Sequence, residues 1–399
     1  MQCVDGANDS PGPEATQPSG MDPLARKQAG ARTPTLARWL RGVAALLPML
    51  AAGAHADSWM PAASMATPRY SHSASVLASG KILVAGGANS GGYLASSERY
   101  DPAVDAWTPA SPLAAARNSH TATVLGNGRV LVVGGTNGST ALASAELYDP
   151  ATDTWSPAGS LVQGRYVHTA TLLSSGKVLV AGGYNGSLPL GSAELYDPAT
   201  NAWSPAGTMN FPRRSFSATR LASGKVLVAG GLSSLALGVC ELYDPLTNSW
   251  SATGTLVTPR YSHDALRALD GTVQVVAGYS GVSALGSTES YDPASGQWTA
   301  GASLSTPRSL HSVVQRATGE LLVMAGFGTT HLASTEISTV AHPSWVAGDP
   351  LATPRSRHAT VQLTDGTLMV IGGNNGASLA SAERYGVARL FADGFDGSP

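Results

Sequence analysis

Residues 119–135 read SHTATVLGNGRVLVVGG, and the fold can be predicted outward from this stretch. Apolar and polar residues alternate in its first half, Asn127 and Gly128 follow, and four apolar residues then lead to Gly134 and Gly135. Alternation indicates a strand with one buried face, Asn-Gly is typical of a tight hairpin turn, and a continuous apolar run indicates a fully buried strand. The stretch therefore predicts a β-hairpin.

The next residues, 136–157, predict a second hairpin. They read TNGSTALASAELYDPATDTWSP, which is a loop, an alternating strand, an Asp-Pro pair and a strand that carries Trp155. In an Asp-Pro turn the Asp side chain caps the turn and Pro presets φ, so we interpret Asp149 as a turn residue and not as a metal ligand. One unit thus contains four short strands.

Four residue types repeat in step along the chain, at intervals near 48 residues. The tryptophans are Trp59, Trp107, Trp155, Trp203, Trp250, Trp298 and Trp345. The glutamates are Glu98, Glu146, Glu194, Glu241, Glu289, Glu336 and Glu383. The glycines that end the apolar runs are Gly87, Gly135, Gly183, Gly231, Gly278, Gly326 and Gly373. The arginines are Arg69, Arg117, Arg165, Arg214, Arg260, Arg308 and Arg355.

Sheets of four strands that repeat in this way need neighbouring copies to cover both faces, and this requirement predicts a β-propeller. The series opens at Trp59 without three preceding strands and closes at Tyr385 without a tryptophan. We therefore predict an all-β, seven-bladed β-propeller of four-stranded blades, closed by the N-terminal strand completing the last blade. Closure also removes exposed sheet edges.

At this point the residues resemble the Kelch repeat: four hydrophobic residues, then Gly-Gly, then a Tyr and a Trp on either side of a turn. The resemblance covers residues 58–385 and indicates a secreted bacterial Kelch repeat-containing protein. Ala277 and Ala325 depart from the Gly-Gly pattern, and Ser338, Thr339 and Val340 replace the Tyr-Asp-Pro turn of the sixth blade. The resemblance implies that ligands bind at the channel mouth, partly through arginines there.

The N-terminal residues indicate export. Residues 1–20 are interpreted as an unstructured leader, or as an extension that arises if translation in fact starts at Met21. Residues 21–56 are interpreted as a signal peptide with a basic region, an apolar segment at 42–54 and an Ala-His-Ala cleavage site. The propeller follows at 57–385 and a tail at 386–399. We expect a periplasmic or extracellular protein with no membrane span after signal cleavage. The net charge of −2 argues against nucleic acid as a partner.

The repeated charged residues have two interpretations. In a chain with only 13% charged residues, one Arg and one Glu in every repeat indicate an internal ion pair per blade, or alternatively an anion-binding ring of arginines. A histidine series, with Ser217 in its fourth place, is interpreted as structural because one His per blade cannot converge on one ion. The histidines are His72, His120, His168, His263, His311 and His358. Cys240 occupies the position of Ala145 and Ala193, which favours a small buried residue.

Ligand recognition is expected where the repeats differ, in the loops after the glycines. Aromatic faces beside Asn amides suit a sugar, although exposed loops are commonly polar for no further reason. The candidate residues are Asn89, Asn137, Tyr184, Asn185, Tyr279, Phe327, His331 and Asn374. No catalytic residue, metal or cofactor is assigned, and we expect a monomeric scaffold for a glycan or protein ligand. The alternatives are a periplasmic sialic acid mutarotase, with His331 as the non-repeat candidate, or a galactose-oxidase-like enzyme.

Overall fold

Seven antiparallel sheets of four strands each follow one another in a computed structural model that describes residues 58–339 and 342–386. No helix occurs among these residues. The predicted leader, the predicted signal peptide and the tail from residue 387 onward lie outside them. The last strand reaches Gly386, one residue beyond the predicted propeller boundary. The all-β propeller with seven four-stranded blades is confirmed.

The strands are numbered along the chain, and each blade is described from its innermost to its outermost strand. Blade 1 contains β2 (Ser73–Val76), β3 (Ile82–Ala85), β6 (Ser97–Asp101) and β7 (Ala106–Ala110). Blade 2 contains β8 (Thr121–Val124), β9 (Val130–Val133), β10 (Ser144–Asp149) and β11 (Thr154–Ser160). Blade 3 contains β12 (Thr169–Leu172), β13 (Val178–Ala181), β14 (Ser192–Asp197) and β15 (Ala202–Thr208). Blade 4 contains β16 (Ser217–Arg220), β17 (Val226–Ala229), β18 (Cys240–Asp244) and β19 (Ser249–Ala252).

The remaining blades keep this order. Blade 5 contains β20 (Asp264–Arg267), β21 (Val273–Val276), β22 (Thr288–Asp292) and β23 (Gln297–Ala300). Blade 6 contains β24 (Ser312–Gln315), β25 (Leu321–Met324), β26 (Thr335–Thr339) and β27 (His342–Gly348). Blade 7 contains β28 (Ala359–Gln362), β29 (Leu368–Ile371), β30 (Ala382–Gly386) and β1 (Ser58–Ala62). A two-stranded ribbon, β4 (Ala88–Asn89) with β5 (Gly92–Tyr93), forms a loop of blade 1.

Blade 7 closes the ring, as predicted. Its outermost strand is β1, which pairs antiparallel with β30 from Ser58 opposite Gly386 to Ala62 opposite Ala382. The first strand of the described chain is therefore hydrogen-bonded to the last. Because the outer strand comes from the other end of the chain, the sheet cannot form until both ends have met.

The hydrophobic core lies between neighbouring blades. Leu131 and Val133 of β9 pack with Val178 and Val180 of blade 3, whereas Val130 packs with the cluster facing blade 1. Both faces of the second strand are thus covered, which explains why its sequence is continuously apolar. In blade 2 the ring centroids of Tyr148 and Trp155 are 5.0 Å apart. Each such Tyr–Trp pair lies at an outer junction between blades.

Glycine is required where one blade contacts the next. Gly86 has a φ of 64°, and a methyl group on it would lie 2.8 Å from Cε1 of His120 in the next blade. The same close approach relates Gly134 to His168 and Gly230 to His263. These glycines therefore let the histidines of the adjacent blade pack against the backbone.

A closed ring of backbone hydrogen bonds surrounds the channel. Seven residues with φ between 47° and 53° precede the inner strands, and the N–H of each donates to the carbonyl of its counterpart in the preceding blade at 2.9–3.3 Å. The ring residues are Ser71, Ser119, Val167, Ser215, Ser262, Leu310 and Arg357. The cycle is complete, since Ser71 donates to Arg357 across the junction of blades 7 and 1.

We expect closure by β1 to control stability. A chain that begins at residue 63 loses the five-residue ladder with β30, whereas a control that begins at residue 58 keeps it. Thermal unfolding followed by circular dichroism should give a melting temperature at least about 5 °C lower for the shorter chain. Equal melting temperatures for the two chains would contradict this role.

Candidate binding face

One end of the propeller carries all the variable loops. The connections between blades and the loops after the glycines meet there, and we call this end the loop face; the hairpin turns form the opposite turn face. In each blade one residue of the connection pairs with one residue of the loop. The pairs are Tyr70 with Ala88, Asn118 with Thr136, Tyr166 with Tyr184, Arg214 with Leu232, Tyr261 with Tyr279, Ser309 with Phe327, and Ser356 with Asn374.

Directly beneath these pairs lies a buried ion pair in every blade. In blade 3, Nη2 of Arg165 is 2.9 Å from Oε1 of Glu194, and Nη1 donates to the carbonyls of Gly182 and Ser192. The Glu194 carboxylate also accepts the N–H of Val162 in the connection. Burial lowers the pKa of Arg165, and Glu194 opposes this effect. The pair thus joins the connection, the loop and the third strand.

All seven ion pairs have the same geometry, and their guanidinium groups are fully buried. The pairs are Arg69–Glu98, Arg117–Glu146, Arg165–Glu194, Arg213–Glu241, Arg260–Glu289, Arg308–Glu336 and Arg355–Glu383. These arginines donate to carbonyls and carboxylates of their own blades. They therefore support the loop face from inside and do not line its surface.

The sequence interpretation of blade 4 was wrong by one residue in two places. Arg213, not Arg214, forms the buried pair with Glu241 at 2.8 Å. Phe216, not Ser217, occupies the histidine position, because its ring lies against Gly182 as His168 lies against Gly134. Two adjacent arginines made the register ambiguous, and an aromatic ring can fill the histidine pocket without its hydrogen bonds.

Arg214, which does not form the buried ion pair, belongs to an aromatic cluster that spans blades 3 to 5. Its guanidinium carbon lies 4.5 Å from the centroid of the Tyr184 ring. Tyr166 meets Tyr184 edge-on at 5.5 Å, and Tyr261 meets Tyr279 in the same manner. Burial raises the pKa of Tyr261, an effect that Tyr279 reinforces and Arg214 opposes. The two Tyr pairs and Arg214 therefore form one cluster near the channel mouth.

The predicted Asn residues serve mainly as turn residues. The side-chain oxygen of Asn185 accepts the N–H groups of Ser187 and Leu188 at 2.8 Å, and that of Asn137 accepts those of Ser139 and Thr140 at 3.0 Å. Asn89 and Asn374 accept from the N–H groups of Gly91 and Gly376. Their oxygens are therefore already used within the loops, which is the behaviour expected of Asn in tight turns.

The predicted aromatic residues are fixed by their own loops. The Tyr184 hydroxyl donates to the carbonyl of Ser187, and the Tyr279 hydroxyl donates to that of Val282. In blade 6 the Phe327 and His331 rings meet at 5.1 Å, and Nδ1 of His331 lies 3.2 Å from Oγ of Ser356. Burial, and then Arg357, lower the pKa of His331. His331 is thus a half-buried imidazole at the loop face.

A second polar layer lies between the inner strands. In several junctions Nε2 of the histidine bonds to the hydroxyl that begins the preceding inner strand, as His120 does with Ser73 at 2.9 Å. The equivalent of Ser73 in blade 5 is Asp264, whose two oxygens accept the N–H groups of Ala265 and Val313. Burial raises the pKa of Asp264 to about 6. Comparing the residue after each histidine across the repeats would have revealed this exception.

Other features of the described residues have no obvious ligand chemistry. A shallow groove of about 220 Å³ on the turn face is lined by residues that include Leu125, Asn127, Gly176 and Pro198. Cys240 is buried, and burial raises the pKa of its thiol to about 11. No three His, Cys, Asp or Glu side chains of residues 58–339 and 342–386 are grouped as metal ligands. The same residues include no helix long and apolar enough to cross a membrane.

The fold and the repeated ion pairs define a closed β-propeller with seven equivalent blades. The model of the KLHDC2/KLHL20/DRC7 Kelch-repeats domain matches residues 56–231. This match and the seven four-stranded blades both support a Kelch-type β-propeller. No curated protein is significantly similar to it in sequence.

Solved structures share the architecture. One is a fungal alcohol oxidase of the AA5 family in complex with copper, which superposes with a TM-score of 0.69 at 18% sequence identity. The alignment covers 83% of this chain and 76% of the oxidase. At this identity the likeness concerns the fold alone.

Removing a buried ion pair should destabilise the protein more than removing an exposed one. Replacing Arg165 with Ala leaves Glu194 buried without its cation, and we expect a loss of about 3–5 kcal/mol in the free energy of unfolding. The control is Arg129→Ala, which removes an exposed pair with Asp149 and should cost less than about 1 kcal/mol. Urea unfolding measures both, and similar losses would refute the assignment.

Asp264 should make stability depend on pH in the opposite direction to a surface carboxylate. Its pKa of about 6 exceeds its ordinary value of 3.8, so its ionisation disfavours the folded state above pH 6 and the penalty disappears as the pH falls toward 4. Asp264→Asn removes the charge but also one of the two acceptor oxygens, so the melting temperature of this variant relative to that of the parent chain should be higher at pH 7.5 than at pH 4.5.

The matched control is Asp149→Asn. Hydrogen bonding to Ala151 and then Arg129 lower the pKa of Asp149, so its ionised form favours the folded state at neutral pH. This substitution should lower the melting temperature at pH 7.5, with an effect that fades at low pH. If the difference in melting temperature from the parent chain changed with pH in the same direction for both variants, the difference between the two sites would be disproved.

Proposed function

We propose that this protein is an exported binding module whose ligand contacts the loop face at blades 3 to 5. The observation that carries the proposal is the cluster of Tyr166, Tyr184, Arg214, Tyr261 and Tyr279. Tyrosine occupies this loop position in blades 3 and 5, whereas the remaining five blades place Ala88, Thr136, Leu232, Phe327 and Asn374 there. Since the blades share one internal frame, the fold does not require tyrosine at these positions.

Aromatic rings held in place by their own hydrogen bonds suit a binding site. The hydroxyl groups of Tyr184 and Tyr279 donate hydrogen bonds to carbonyls of their own loops. Little side-chain conformational entropy is therefore lost when a ligand packs against these rings. Aromatic and Arg side chains dominate the energetics of many protein recognition sites. Export is supported by the basic region, apolar segment and Ala-His-Ala site at 21–56.

The test is thermal stabilisation, because a ligand that binds only the folded state raises the melting temperature. The intact chain is screened against sugars, sialic acids, metals and peptides, and each shift is measured again in Tyr184→Ala and in the turn-face control Arg129→Ala. We expect a shift of several degrees that the first variant loses and the control keeps. A shift that survives Tyr184→Ala but disappears in the control would refute a loop-face site.

A second candidate, a periplasmic carbohydrate-active enzyme such as a sialic acid mutarotase, is favoured by His331. The His331 imidazole lies beside Ser356 and near the exposed Arg357, so a group that can act as a base and a cation occur on the same face. Turnover of a sialic acid that His331→Ala abolishes would support it; turnover unchanged in this variant would remove His331 from consideration. The galactose-oxidase-like alternative would need a cysteine cross-linked to a tyrosine at its site, whereas Cys240, the cysteine among the described residues, is buried in β18.

A further inference from the structure

The connection between blades 6 and 7 contains an Asp-Pro bond unlike the others of the described chain. Asp349 and Pro350 follow β27, and both residues are exposed. The remaining Asp-Pro bonds of residues 58–339 and 342–386 lie in hairpin turns between third and fourth strands. They begin at Asp101, Asp149, Asp197, Asp244 and Asp292. Its place in the fold therefore distinguishes Asp349 from these five turn residues.

The carboxylates of the five turn residues are already hydrogen-bonded. One oxygen of each accepts the N–H of the residue two positions later, as Asp149 does from Ala151 at 3.0 Å. The other oxygen binds a Lys or Arg side chain, or Ser295 in the case of Asp292. No described residue forms a hydrogen bond or an ion pair with the carboxylate of Asp349. This carboxylate can therefore turn toward its own carbonyl carbon.

A buried hydroxyl group donates to the carbonyl of the same Asp-Pro bond. Oγ1 of Thr335 in β26 lies 2.7 Å from the carbonyl oxygen of Asp349, and Thr335 is 1% exposed. Gly348 permits this approach, because a methyl group on it would lie 2.6 Å from Oγ1 of Thr335. In blade 5, Thr288 donates to the carbonyl of Ala302 in the same way. The hydroxyl thus belongs to the frame of the blade, whereas the Asp and the Pro distinguish blade 6 from blade 5.

These groups are the components of an intramolecular cleavage. A carboxylate oxygen of Asp can attack the carbonyl carbon of the same residue and close a five-membered cyclic anhydride, and groups held so close react much faster than separate molecules. Proline favours the step because its nitrogen carries no hydrogen and leaves as a secondary amine once it is protonated. A donor on the carbonyl oxygen stabilises the negative charge that develops there.

We propose that the chain cleaves itself between Asp349 and Pro350 under acidic conditions. An oxygen of the Asp349 carboxylate bonds to the carbonyl carbon of Asp349, and the bond from this carbon to the nitrogen of Pro350 breaks. The nitrogen takes a proton and becomes a new chain terminus. One water molecule then opens the anhydride and leaves two carboxyl groups on Asp349. The hydroxyl of Thr335 donates to the carbonyl oxygen during the attack.

The proton comes from the solvent, which reaches the exposed Pro350. Acid is required because the leaving nitrogen must be protonated. Ionisable side chains on the neighbouring elements have contacts of their own, which are Glu336 with Arg308, Glu383 with Arg355, and His331 with Ser356 and Arg357. His342, the ionisable residue of β27, lies at the opposite end of that strand.

The two products should stay together after cleavage. Strands β28, β29 and β30 of blade 7 follow the cleaved bond, whereas β1 of the same blade precedes it. The ladder between β1 and β30 therefore joins one product to the other, and so does the hydrogen bond from Ser71 to Arg357. Cleavage would convert the propeller into a two-chain protein that still forms a closed ring.

The experiment is intact-mass analysis of the folded full chain held at pH 4.5 and at pH 7.5. Circular dichroism checks that the chain stays folded, and the acidic pH is raised stepwise if it does not. Asp349→Asn removes the nucleophile, Thr335→Val removes the hydroxyl at similar volume, and Thr335→Ser keeps the hydroxyl. The matched control is Asp149→Asn, which alters an Asp-Pro bond in a turn. The chain unfolded in guanidinium chloride at the same pH supplies the reference rate of each bond.

At pH 4.5 we expect one fragment that ends at Asp349 and one that begins at Pro350, formed at least about 10-fold faster than products of the five turn bonds. Asp349→Asn should abolish this cleavage, and Asp149→Asn should leave it unchanged. The rate should fall at least about 10-fold in Thr335→Val and recover in Thr335→Ser. In guanidinium chloride the bonds should cleave at similar rates, with no effect of Thr335→Val.

Two results would overturn the proposal. One is a folded chain that stays intact at pH 4.5, and the other is a folded chain in which the Asp349-Pro350 bond and the five turn bonds cleave at equal rates. Cleavage after Asp349 that Thr335→Val leaves unchanged would refute the role of the hydroxyl. If Thr335→Val does not fold, the comparison of the folded with the unfolded parent chain decides whether the folded geometry accelerates the reaction. Native size-exclusion chromatography of the cleaved protein shows whether its fragments remain associated.

Discussion

The buried Arg–Glu pair is the interaction on which each blade depends. Arg165 reaches two carbonyls and one carboxylate, and Glu194 in turn accepts an N–H from the chain that arrives from the preceding blade. A buried charge is tolerated only when it is paired and hydrogen-bonded, so the pair also determines where the surrounding backbone must lie. Seven such pairs fix seven connections at equal heights around the ring.

This arrangement separates the residues that determine the backbone of a blade from the residues that form the loop face. The Arg, Glu and second-strand residues that set the backbone of a blade lie inside it, whereas the loop tips contribute little to the frame. Position 162 is Val in blade 3 and its counterpart is Ala in blade 2, yet both N–H groups bind the repeated glutamate. The loop face can therefore vary without altering the scaffold, and a ligand site can be confined to a few blades of an otherwise regular molecule.

The fold was predictable because the same sequence pattern recurs in every repeat. Seven independent occurrences of Trp, Glu and Gly in step leave little freedom in the number of strands or in their order, and Trp59 without its blade indicates the closure. The site was less predictable. Blade 4 contains Arg213 and Arg214 side by side, and only packing decides which one enters the interior.

Other parts of the site were hidden for a similar reason. Asp264 follows His263 in the same way that Ser73 follows His72, but a single carboxylate in a charge-poor chain attracts no attention until its burial is known. Asn185, in contrast, looked like a ligand-binding amide although its oxygen is used by the turn.

The junction of β1 with β30 also determines how the molecule responds to force. Ser58 and Gly386, the first and last of the described residues, face each other at one end of this ladder. Tension applied through these two points separates the strands one residue pair at a time, because the pull is perpendicular to the strands and loads each hydrogen bond singly. A propeller tethered by both flanking segments would thus open at blade 7 before any other blade yields, whereas tethering through one segment leaves the ring unloaded.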